Sequence, residues 1–349
     1  MSRLCALVVG VTGVVGRALA RDLRARADWE VIGVSRQPPA DSAHRVIGVD
    51  LADPIDCRKK LGALSNITHI LYCARAPHTM TVKEPIDENV GMLRNVIDAL
   101  EGAAGRLTHV HIVQGSKVYG SELGPYKTPA QETDPRVAPY NWYYAQEDLL
   151  QERAGEHWTW SVSRPHGVCE KESAVPRSLA TIIAVYAAIC KELGRPLNFP
   201  GTDAGFHALY QSVDADLLAR AIVWISTTGS CANQAFNVTN GDYFRWANVW
   251  PNLARFFEME PGGVKTVRLA EEMRDKAQVW DRLVAKHNLV PIPLSARAVW
   301  SYADFNLARG YDVMSSTLKL RNAGFHECMD TERMFIEHFS RFRTQRAIP

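Results

Sequence analysis

The chain lacks several features that would place it in a specialised class of protein. Its seven cysteines are scattered without any C-x-x-C pair, so neither a zinc site nor a disulfide framework is indicated. Its net charge of +2 is too small for the electrostatic field that a nucleic-acid partner requires. The sequence shows no internal repeat and no low-complexity tract. These absences predict a globular protein of the reducing cytosol, without nucleic acid as a partner.

Long hydrophobic runs are also missing. The most apolar region, residues 178–194, has a continuous apolar core only from Ile182 to Cys190, whereas a membrane-spanning helix needs about 20 such residues. We expect a buried helix there. The N-terminus shows neither the charged leader nor the apolar stretch of a signal peptide. The sequence therefore predicts no membrane partner and a cytoplasmic location.

Strand-like and helix-like patterns alternate along the first half of the chain. "LCALVV" at residues 4–9 leads into a glycine turn, and the apolar spacing of Ala18, Leu19 and Leu23 then suits an amphipathic helix. Further strand-like segments follow at residues 29–36, 45–51, 68–74, 108–114 and 159–165. This alternation predicts an α/β fold with a Rossmann-type, doubly wound parallel sheet.

The glycine turn has the spacing G-x-x-G-x-x-G, with Gly10, Gly13 and Gly16 between the first strand and the first helix. Glycine lets the backbone approach a pyrophosphate, whose charge is met by the free N–H groups at the helix N-terminus. The position of the triplet between strand and helix indicates a dinucleotide site.

The residues at the end of the second strand indicate which dinucleotide binds. An NAD site usually carries Asp or Glu there, whereas this chain has Ser35 and Arg36. A guanidinium binds a 2′-phosphate through charge-assisted hydrogen bonds, so NADPH is the predicted cofactor. The alternative is that Arg36 is a solvated surface residue. Asp50 and Leu51 end the third strand, and they either flank the adenine or merely terminate the strand.

At 349 residues, the chain is long enough for two lobes. We predict an NADPH-binding Rossmann domain at residues 1–165, with residues 209–240 contributing back to it. A smaller, interleaved substrate-binding lobe is predicted at residues 166–208 and 241–349. The predicted cofactor-binding residues are Gly10, Thr12, Gly13, Val14, Val15, Gly16, Ser35, Arg36, Asp50, Leu51, Ala74, Gln114, Tyr144, Pro165, His166 and Val168.

Two segments match the catalytic pattern of extended short-chain dehydrogenases only in part. In "QGSKVYG", Gly115 stands where the pattern S-S-x-x-V-Y-G has the catalytic serine. Tyr144 fits the pattern Tyr-x-x-x-Lys-x-x-x-Glu, but Asp148 replaces the lysine. Lys117 either supplies the missing positive charge from the neighbouring loop or is a solvated cation. Tyr143 is expected to pack away from the site, because adjacent helical residues point about 100° apart.

Motifs along nearly the whole chain closely resemble the progesterone 5β-reductase and iridoid synthase-like family, a branch of the extended short-chain dehydrogenases. They are "GVTGVVG", "GSKVYG", "NWYYAQED", "SVSRP", "YAAICKELGRPLNFPG", "SVDADLLA", "AFNVTNGDYFRW" and "STLKLRNAGF". In that family a tyrosine of N-F-Y-Y-x-x-E-D and the lysine of T-G-x-K-x-Y act together, which here implies Tyr144 and Lys117. Departures are Trp142 for phenylalanine, Ser116 for threonine and the loop "RPHGVCEKES".

The resemblance implies NADPH-dependent reduction of the activated C=C bond of an enone or enal. Hydride would add to the β-carbon, Tyr144 would donate to the enolate oxygen, and Lys117 would favour the negative charge. The expected substrate is a small apolar enone or carbonyl compound. A carbonyl (1,2) reductase or alcohol dehydrogenase is one alternative, and a non-catalytic NADP-binding regulator is another. The oligomeric state is open, a homodimer included.

Other residues have a simpler interpretation. His109 and His111 share one face of a strand without further converging ligands, so no metal is predicted. His166 is a candidate acid, and its backbone with that of Gly167 and Val168 could hold the carboxamide of the cofactor. Three further sets are core, pocket wall or lid: Trp246, Trp250 and the segment from Met273 to Trp280.

Overall fold

The computed structural model describes residues 3–77, 84–101, 106–155 and 157–349. The strands in these ranges are β1 Leu4–Val9, β2 Trp29–Ser35, β3 Arg45–Gly48, β4 His69–Tyr72, β5 His109–Val113, β6 Thr159–Pro165, β7 Val168–Cys169, β8 Leu197–Phe199, β9 Leu209–Tyr210, β10 Val213–Asp214, β11 Gln234–Val238, β12 Phe244–Arg245 and β13 Pro261–Val264. The α-helices there are α1 Val14–Arg24, α2 Pro54–Leu61, α3 Ile86–Glu101, α4 Trp142–Arg153, α5 Leu179–Glu192, α6 Asp203–His207, α7 Ala215–Thr227, α8 Trp246–Phe256, α9 Leu269–Glu272, α10 Ala277–His287, α11 Leu294–Arg297, α12 Trp300–Leu307, α13 Leu318–Asn322 and α14 Thr331–Thr344.

A seven-stranded parallel sheet organises the fold, in the order β11-β6-β5-β4-β1-β2-β3. The order reverses between β1 and β4, which pair in parallel from Ala6↔His69 to Val9↔Tyr72. In a doubly wound sheet, ligands bind in the crevice at the carboxyl ends of the strands beside such a reversal. The predicted Rossmann-type fold is confirmed, and its crevice lies where β1 and β4 end.

Buried side chains cover both faces of the sheet. One cluster includes Leu7, Ile70 and Ile112, and another includes Ala6, Val8 and Leu19. Residues of adjacent strand positions alternate between the two clusters, as the two-residue repeat of a strand requires. Because both faces are covered by helices, the strands are apolar on both sides.

A third apolar cluster lies outside the sheet and is centred on α5, whose residues Leu179 to Cys190 are all buried. The prediction of a buried helix here is confirmed. The three tryptophans considered as pocket walls, Trp246, Trp250 and Trp280, are at most 1% exposed and belong to this cluster. They are core residues, and none of them lines the cleft described below.

Helix α7 begins at a cap provided by Asp214. The Asp214 carboxylate accepts hydrogen bonds from the backbone N–H groups of Asp216 and Leu217, each at 2.9 Å. It also lies 3.0 Å from His338 Nε2 on α14. One buried carboxylate therefore ties the start of α7 to a helix more than a hundred residues later.

All seven cysteines are free thiols. In the described ranges, no helix is long and apolar enough to cross a membrane, and no group of three or more His, Cys, Asp or Glu side chains converges as metal ligands. His109 and His111 instead bond to the hydroxyl of Ser161, each at 2.7 Å. Burial lowers the pKa of both imidazoles, which identifies them as neutral core residues.

Candidate active site

An open cleft of about 310 Å³ lies at the carboxyl ends of the central strands. The loops after β1 and β4 meet there: a Cβ on Gly10 would lie 2.9 Å from the backbone nitrogen of Ala74. Nine of the predicted cofactor residues line this cleft, namely Gly13, Val14, Val15, Gly16, Ala74, Gln114, Pro165, His166 and Val168. The cleft is therefore the candidate site.

The glycine turn fits the pyrophosphate of a dinucleotide. Gly10 has a φ of +83°, and a Cβ on Gly16 would lie 2.3 Å from the Gly10 carbonyl oxygen, so a side chain there would displace the turn. Helix α1 begins beside the cleft at Gly13, with no side-chain cap and no acidic residue in its first turn. Its N–H groups and dipole are thus available to an anion.

Five other predicted cofactor residues do not line the cleft, namely Thr12, Ser35, Arg36, Asp50 and Leu51. The hydroxyls of Thr12 and Ser35 are 3.3 Å apart, and Arg36 is exposed beside them. Strand β3 ends at Gly48, so Asp50 and Leu51 follow the strand instead of ending it. The Asp50 carboxylate accepts from the N–H of Ala52 at 3.0 Å, and it is exposed. These surroundings are compatible with a solvent-facing adenosine end.

The two adjacent tyrosines of α4 point in different directions, and Tyr143 is the one that lines the cleft. The Tyr144 hydroxyl donates to the carbonyl oxygen of Val118 at 2.5 Å and accepts from the N–H of Val137 at 3.0 Å. Tyr144 is 2% exposed and is not a lining residue. The sequence analysis chose Tyr144 both as the hydrogen-bond donor and as a cofactor contact. The structure contradicts both choices, because the Tyr144 side chain lies outside the cleft.

Gly115 adjoins the Tyr143 hydroxyl. A Cβ at Gly115 would lie 3.3 Å from the Tyr143 Oη, closer than most real Cβ contacts. Gly115 occupies the serine position of the dehydrogenase pattern, and the structure puts that position next to Tyr143. A short-chain dehydrogenase has a tyrosine and a serine hydroxyl side by side here. This cleft has the tyrosine hydroxyl, but Gly115 provides no serine hydroxyl beside it.

The helix position four residues after Tyr143 is Glu147, which is bound into the interior. Its carboxylate pairs with Arg164 at 2.9 Å, and both side chains are about nine-tenths buried. Asp148, the residue that seemed to replace the catalytic lysine, lies on the outer surface, where Arg136 and Tyr140 bind it. Asp148 is therefore not part of the cleft.

Lys117 reaches the cleft from the 3₁₀ turn Ser116–Tyr119 that follows β5. Its Nζ lies 2.9 Å from Glu84 Oε2, and Arg75 pairs with the other oxygen of Glu84 at 2.9 Å. Burial raises the pKa of the Glu84 carboxyl, but Lys117 and Arg75 outweigh it and hold that pKa below its ordinary value. Glu84 is thus a carboxylate shared by two cations.

Arg75 also acts on Tyr143. Burial raises the pKa of the Tyr143 hydroxyl above its ordinary value, and the Arg75 guanidinium, hydrogen-bonded to it, works in the opposite direction. Trp142 lines the cleft beside Tyr143, with ring centroids 4.1 Å apart, and its indole N–H donates to Glu84 at 3.1 Å. The tyrosine, the two cations and the carboxylate form one connected network.

His166 is a buried and neutral imidazole at the cleft wall. Its Nδ1 lies 2.9 Å from the hydroxyl of Ser116, while Nε2 is buried without a hydrogen-bond partner among the described residues. Burial lowers the pKa of His166 well below its ordinary value, and Arg309 lowers it further. A proton-donating imidazolium is therefore disfavoured, whereas a neutral N–H or a ring nitrogen facing a ligand is compatible with this site.

A second cavity, of about 450 Å³, is lined by residues of α5, α10 and α14 and by the two residues that follow α8. Its rim charges neutralise one another: Lys191 pairs with Glu258 at 3.0 Å and Lys286 with Glu192 at 2.9 Å. It is larger than the cleft, but the glycine turn and Tyr143 do not line it. We therefore assign the chemistry to the smaller cleft.

Comparison with known proteins identifies the family. A family model described as a PRISE-like Rossmann-fold domain matches residues 34–349, which is most of the chain. The chain belongs to this family.

Named relatives of this PRISE-like chain match it over nearly its full length. The (S)-8-oxocitronellyl enol synthase of Antirrhinum majus is 33% identical, with 99% of this chain and 92% of the relative covered. The 3-oxo-Delta(4,5)-steroid 5-beta-reductase of Arabidopsis thaliana is 34% identical, with 99% and 93% covered. The resemblance predicted from the motifs is confirmed.

Solved structures similar to the PRISE-like chain share its fold. A UDP-glucose 4-epimerase from Thermus thermophilus, solved with NAD, has a TM-score of 0.68 and 18% identity over 97% of this chain and 99% of its own. A short-chain dehydrogenase/reductase superfamily protein from Agrobacterium tumefaciens, solved with bound NAD, has a TM-score of 0.68 and 16% identity over 98% of both chains. At this identity the likeness extends to the architecture alone.

Sequence reasoning missed several residues of the cleft. Arg75 follows β4, Arg177 precedes α5, and Tyr302, Phe305 and Arg309 come from α12 and the loop after it. None of them belongs to a recognised motif, and the last three are far from the others in sequence. The one available signal was position: Arg75 is the residue after Ala74, which had been predicted at the end of the fourth strand.

Proposed function

We propose that this protein is an NADPH-dependent reductase of the activated C=C bond of enones or enals. The observation that carries the proposal is the position of the Tyr143 hydroxyl, which lies beside Gly115 in a cleft that the glycine turn and Lys117 also line. Membership of a family whose named relatives include a steroid 5-beta-reductase supports an oxidoreductase.

NADPH is the cofactor that these residues fit best. The uncapped N-terminus of α1 and the close-packed glycine turn suit a pyrophosphate, and Ser35 with Arg36 replaces the carboxylate that would repel a 2′-phosphate. When bound, NADPH supplies the hydride. The backbone around His166 and Val168 would hold the nicotinamide end, since both residues line the cleft.

A conjugate (1,4) reduction needs a donor at the carbonyl oxygen. As hydride bonds to the β-carbon, the electron pair of the C=C bond moves to the α-carbon and the carbonyl, so negative charge develops on the oxygen. Tyr143 would donate a hydrogen bond to that oxygen. A proton from water then bonds to the α-carbon and completes the saturated product. With Gly115 at the serine position, that position provides no second hydroxyl to bind the carbonyl for 1,2-reduction.

Lys117 and Arg75 would stabilise the same negative charge. Each of them is held by Glu84, which fixes their positions but leaves the group of three with one net positive charge. In a partly dehydrated cleft, such a charge favours an enolate more strongly than it would in water. Tyr143 is the proposed hydrogen-bond donor to the enolate oxygen. Lys117 and Arg75 are the proposed source of the positive electrostatic potential around that oxygen.

Matched tyrosine variants test the assignment. NADPH oxidation with 2-cyclohexen-1-one should show kcat/KM falling about 10²- to 10³-fold in Tyr143→Phe, the usual loss for one oxyanion donor. Tyr144→Phe removes a buried hydroxyl of the same chemistry outside the cleft, so it should lower stability far more than turnover. Lys117→Met should reduce kcat/KM by at least tenfold.

Product analysis distinguishes the alternatives. NMR of the product should show cyclohexanone, whereas an unsaturated alcohol would indicate a carbonyl reductase. Activity confined to saturated ketones would refute the proposal, as would a loss of turnover in Tyr144→Phe alone. NADP binding without turnover on any enone would instead favour a regulatory protein. A homodimer, a cytoplasmic location and the two-lobe division of the chain stay predictions.

A further inference from the structure

The cleft carries more positive charge than the proposed reaction needs. Four cationic side chains line it, Arg75, Lys117, Arg177 and Arg309, while no Asp or Glu is among its lining residues in the described part of the chain. Glu84 binds the first two. The other two have no ion pair among the described residues. A neutral enone requires no such pair of cations.

Arg309 is the most unusual of these cations. It is 8% exposed, its guanidinium lies 4.3 Å from the ring centroid of Phe305, and its Nε and Nη1 are buried without a hydrogen-bond partner among the described residues. A buried guanidinium with unmet N–H groups is costly unless a ligand satisfies them. The geometry is that of a preformed anion site.

The carboxyl of Glu122 leaves the guanidinium of Arg309 without an ion pair in the described structure. Glu122 is close enough to interact electrostatically with Arg309 and Lys117, but it forms no ion pair with either of them in the described structure. Burial raises the pKa of Glu122 above its ordinary value, against the opposing effect of Lys117 and Arg309. Its Oε2 is itself buried without a hydrogen-bond partner among the described residues. The positive charge of Arg309 is therefore left for a ligand.

Arg177 and His166 extend the same wall. The Arg177 guanidinium lies 5.4 Å from the ring centroid of Tyr302, and burial followed by Arg75 lowers its pKa. The buried Nε2 of His166 also lacks a partner among the described residues. These groups belong to the loops before α5 and after β6, not to the glycine turn.

Phe305 sets the scale of the substrate. Lys117 Nζ lies 5.7 Å from its ring centroid, and Arg309 lies 4.3 Å from the same centroid. Because both distances are measured to one centroid, the two cations lie no more than about 10 Å apart, within reach of one short ligand. The whole cleft is about 310 Å³, at the lower end for ligand pockets, and the nicotinamide shares it. Both observations favour a short molecule.

We propose that the natural substrate is a small enone that carries a carboxylate, bound by Arg309 together with Arg177. This inference rests on the proposed reductase function and specifies its substrate class, replacing the apolar substrate expected from the sequence. The carbonyl would face Tyr143 and Lys117, and the carboxylate would face Arg309. Bidentate pairing of guanidinium and carboxylate would then fix the orientation of the alkene.

An acid and its ester test the inference. NADPH oxidation is measured with (E)-4-oxo-2-pentenoate and with its methyl ester, which has the same enone but no charge. We expect kcat/KM to be at least tenfold higher for the carboxylate, although the ester is intrinsically the more electrophilic alkene. In Arg309→Met this ratio should fall to about one, and Arg309→Lys should keep part of it. Arg333→Met, on the exposed face of α14, is the matched control and should keep the wild-type ratio.

The outcomes separate the two proposals. Equal or faster turnover of the ester by the wild type would overturn the substrate class and leave the reductase function standing. Reduction of 2-cyclohexen-1-one without reduction of either compound would also overturn the substrate class alone. If none of the three enones is reduced, the reductase proposal fails, and calorimetric binding of 4-oxopentanoate to the NADP⁺-loaded protein decides the anion site. Binding at least tenfold weaker in Arg309→Met supports the site, whereas equal binding, or none to the wild type, refutes it. Thermal unfolding of each variant checks that it is folded.

Discussion

The hydroxyl groups of Tyr143 and Tyr144 have opposite surroundings although the residues are neighbours. Sequence reasoning chose Tyr144, because the pattern Tyr-x-x-x-Lys-x-x-x-Glu fits that residue, whereas its neighbour Tyr143 lines the cleft. The deciding contacts come from other segments, because the backbone groups of Val118 and Val137 satisfy the Tyr144 hydroxyl. Such contacts between separate segments cannot be read from a motif.

Other site residues could be predicted because their roles depend on local geometry. The glycines of the turn follow from backbone constraints, and Lys117 follows from its place at a strand end. Arg309 could not be predicted, since its significance comes from burial beside Phe305 and from the lack of a partner among the described residues. Burial and pairing are properties of the folded chain.

The exposed side chain of Arg36 should determine cofactor preference. Replacing it with alanine removes the charge proposed to bind the 2′-phosphate, so KM for NADPH should rise about 10- to 100-fold, as expected for lost charge-assisted hydrogen bonds. KM for NADH should change little, because NADH has no such phosphate. Steady-state kinetics with both cofactors provide the measurement, and Arg94→Ala, exposed on α3, is the control. An equal effect on the two cofactors would contradict the assignment.

At the scale of elements, the apolar runs predicted the interior strands well. The bounds of β1 and β6 agree with the sequence expectation, whereas β3 ends at Gly48 instead of reaching Leu51. Strand β11 was not recognised as a strand, because its five residues carry little periodic signal. It is set by tertiary pairing with β6, from Gln234↔Ser161 to Val238↔Pro165.

The cap of α7 should have a larger effect on stability than an ordinary helix cap. In Asp214→Ala the helix loses its cap and His338 loses a buried acceptor, so the free energy of unfolding should fall by about 2 to 4 kcal/mol. Asp330 caps α14 through the N–H of Arg333 at 2.7 Å but is exposed, and Asp330→Ala should cost about 1 kcal/mol. Urea unfolding at neutral pH measures both. Equal losses would contradict the interhelical role.

This contribution should also depend on pH. Burial raises the pKa of Asp214, but the hydrogen bonds from His338 and Leu217 outweigh it and hold that pKa below its ordinary value. A lowered pKa in the folded state stabilises the protein above the unfolded-state value, about 3.9, and this stability is lost as pH falls through the folded value. The difference between wild type and Asp214→Ala should therefore shrink below about pH 4.

At the scale of the whole molecule, the cleft joins the sheet to the C-terminal helices. Its lining comes from the ends of β1, β4, β5 and β6 and also from α12 and the loop that follows it. The sheet half was predictable because its parallel order follows from alternating elements. The part of the lining from α12 was not predictable, since no motif indicates which C-terminal helix packs against the carboxyl end of the sheet.

Cofactor binding should consequently stabilise the molecule. NADP⁺ at 100 times its Kd should add about 2.7 kcal/mol to the free energy of unfolding, visible as a rise in Tm. Gly16→Ala should abolish this rise, because its Cβ would lie 2.3 Å from the Gly10 carbonyl oxygen. Gly91→Ala, on α3 with open space around it, should retain the full rise. Thermal scans with and without NADP⁺ decide the matter, and an undiminished shift in Gly16→Ala would contradict the assignment of the turn.

The pairing of β11 with β6 has a consequence for biosynthesis. During translation, β6 leaves the ribosome before its outer neighbour, because the whole segment 166–233 is made between them. Until β11 arrives, the outer edge of β6 has unpaired backbone groups, and such edges promote association with other chains. The nascent protein therefore needs β11 to pair with the exposed edge of β6. Chaperone binding to the nascent chain should be greatest after β6 and before β11 has been synthesised.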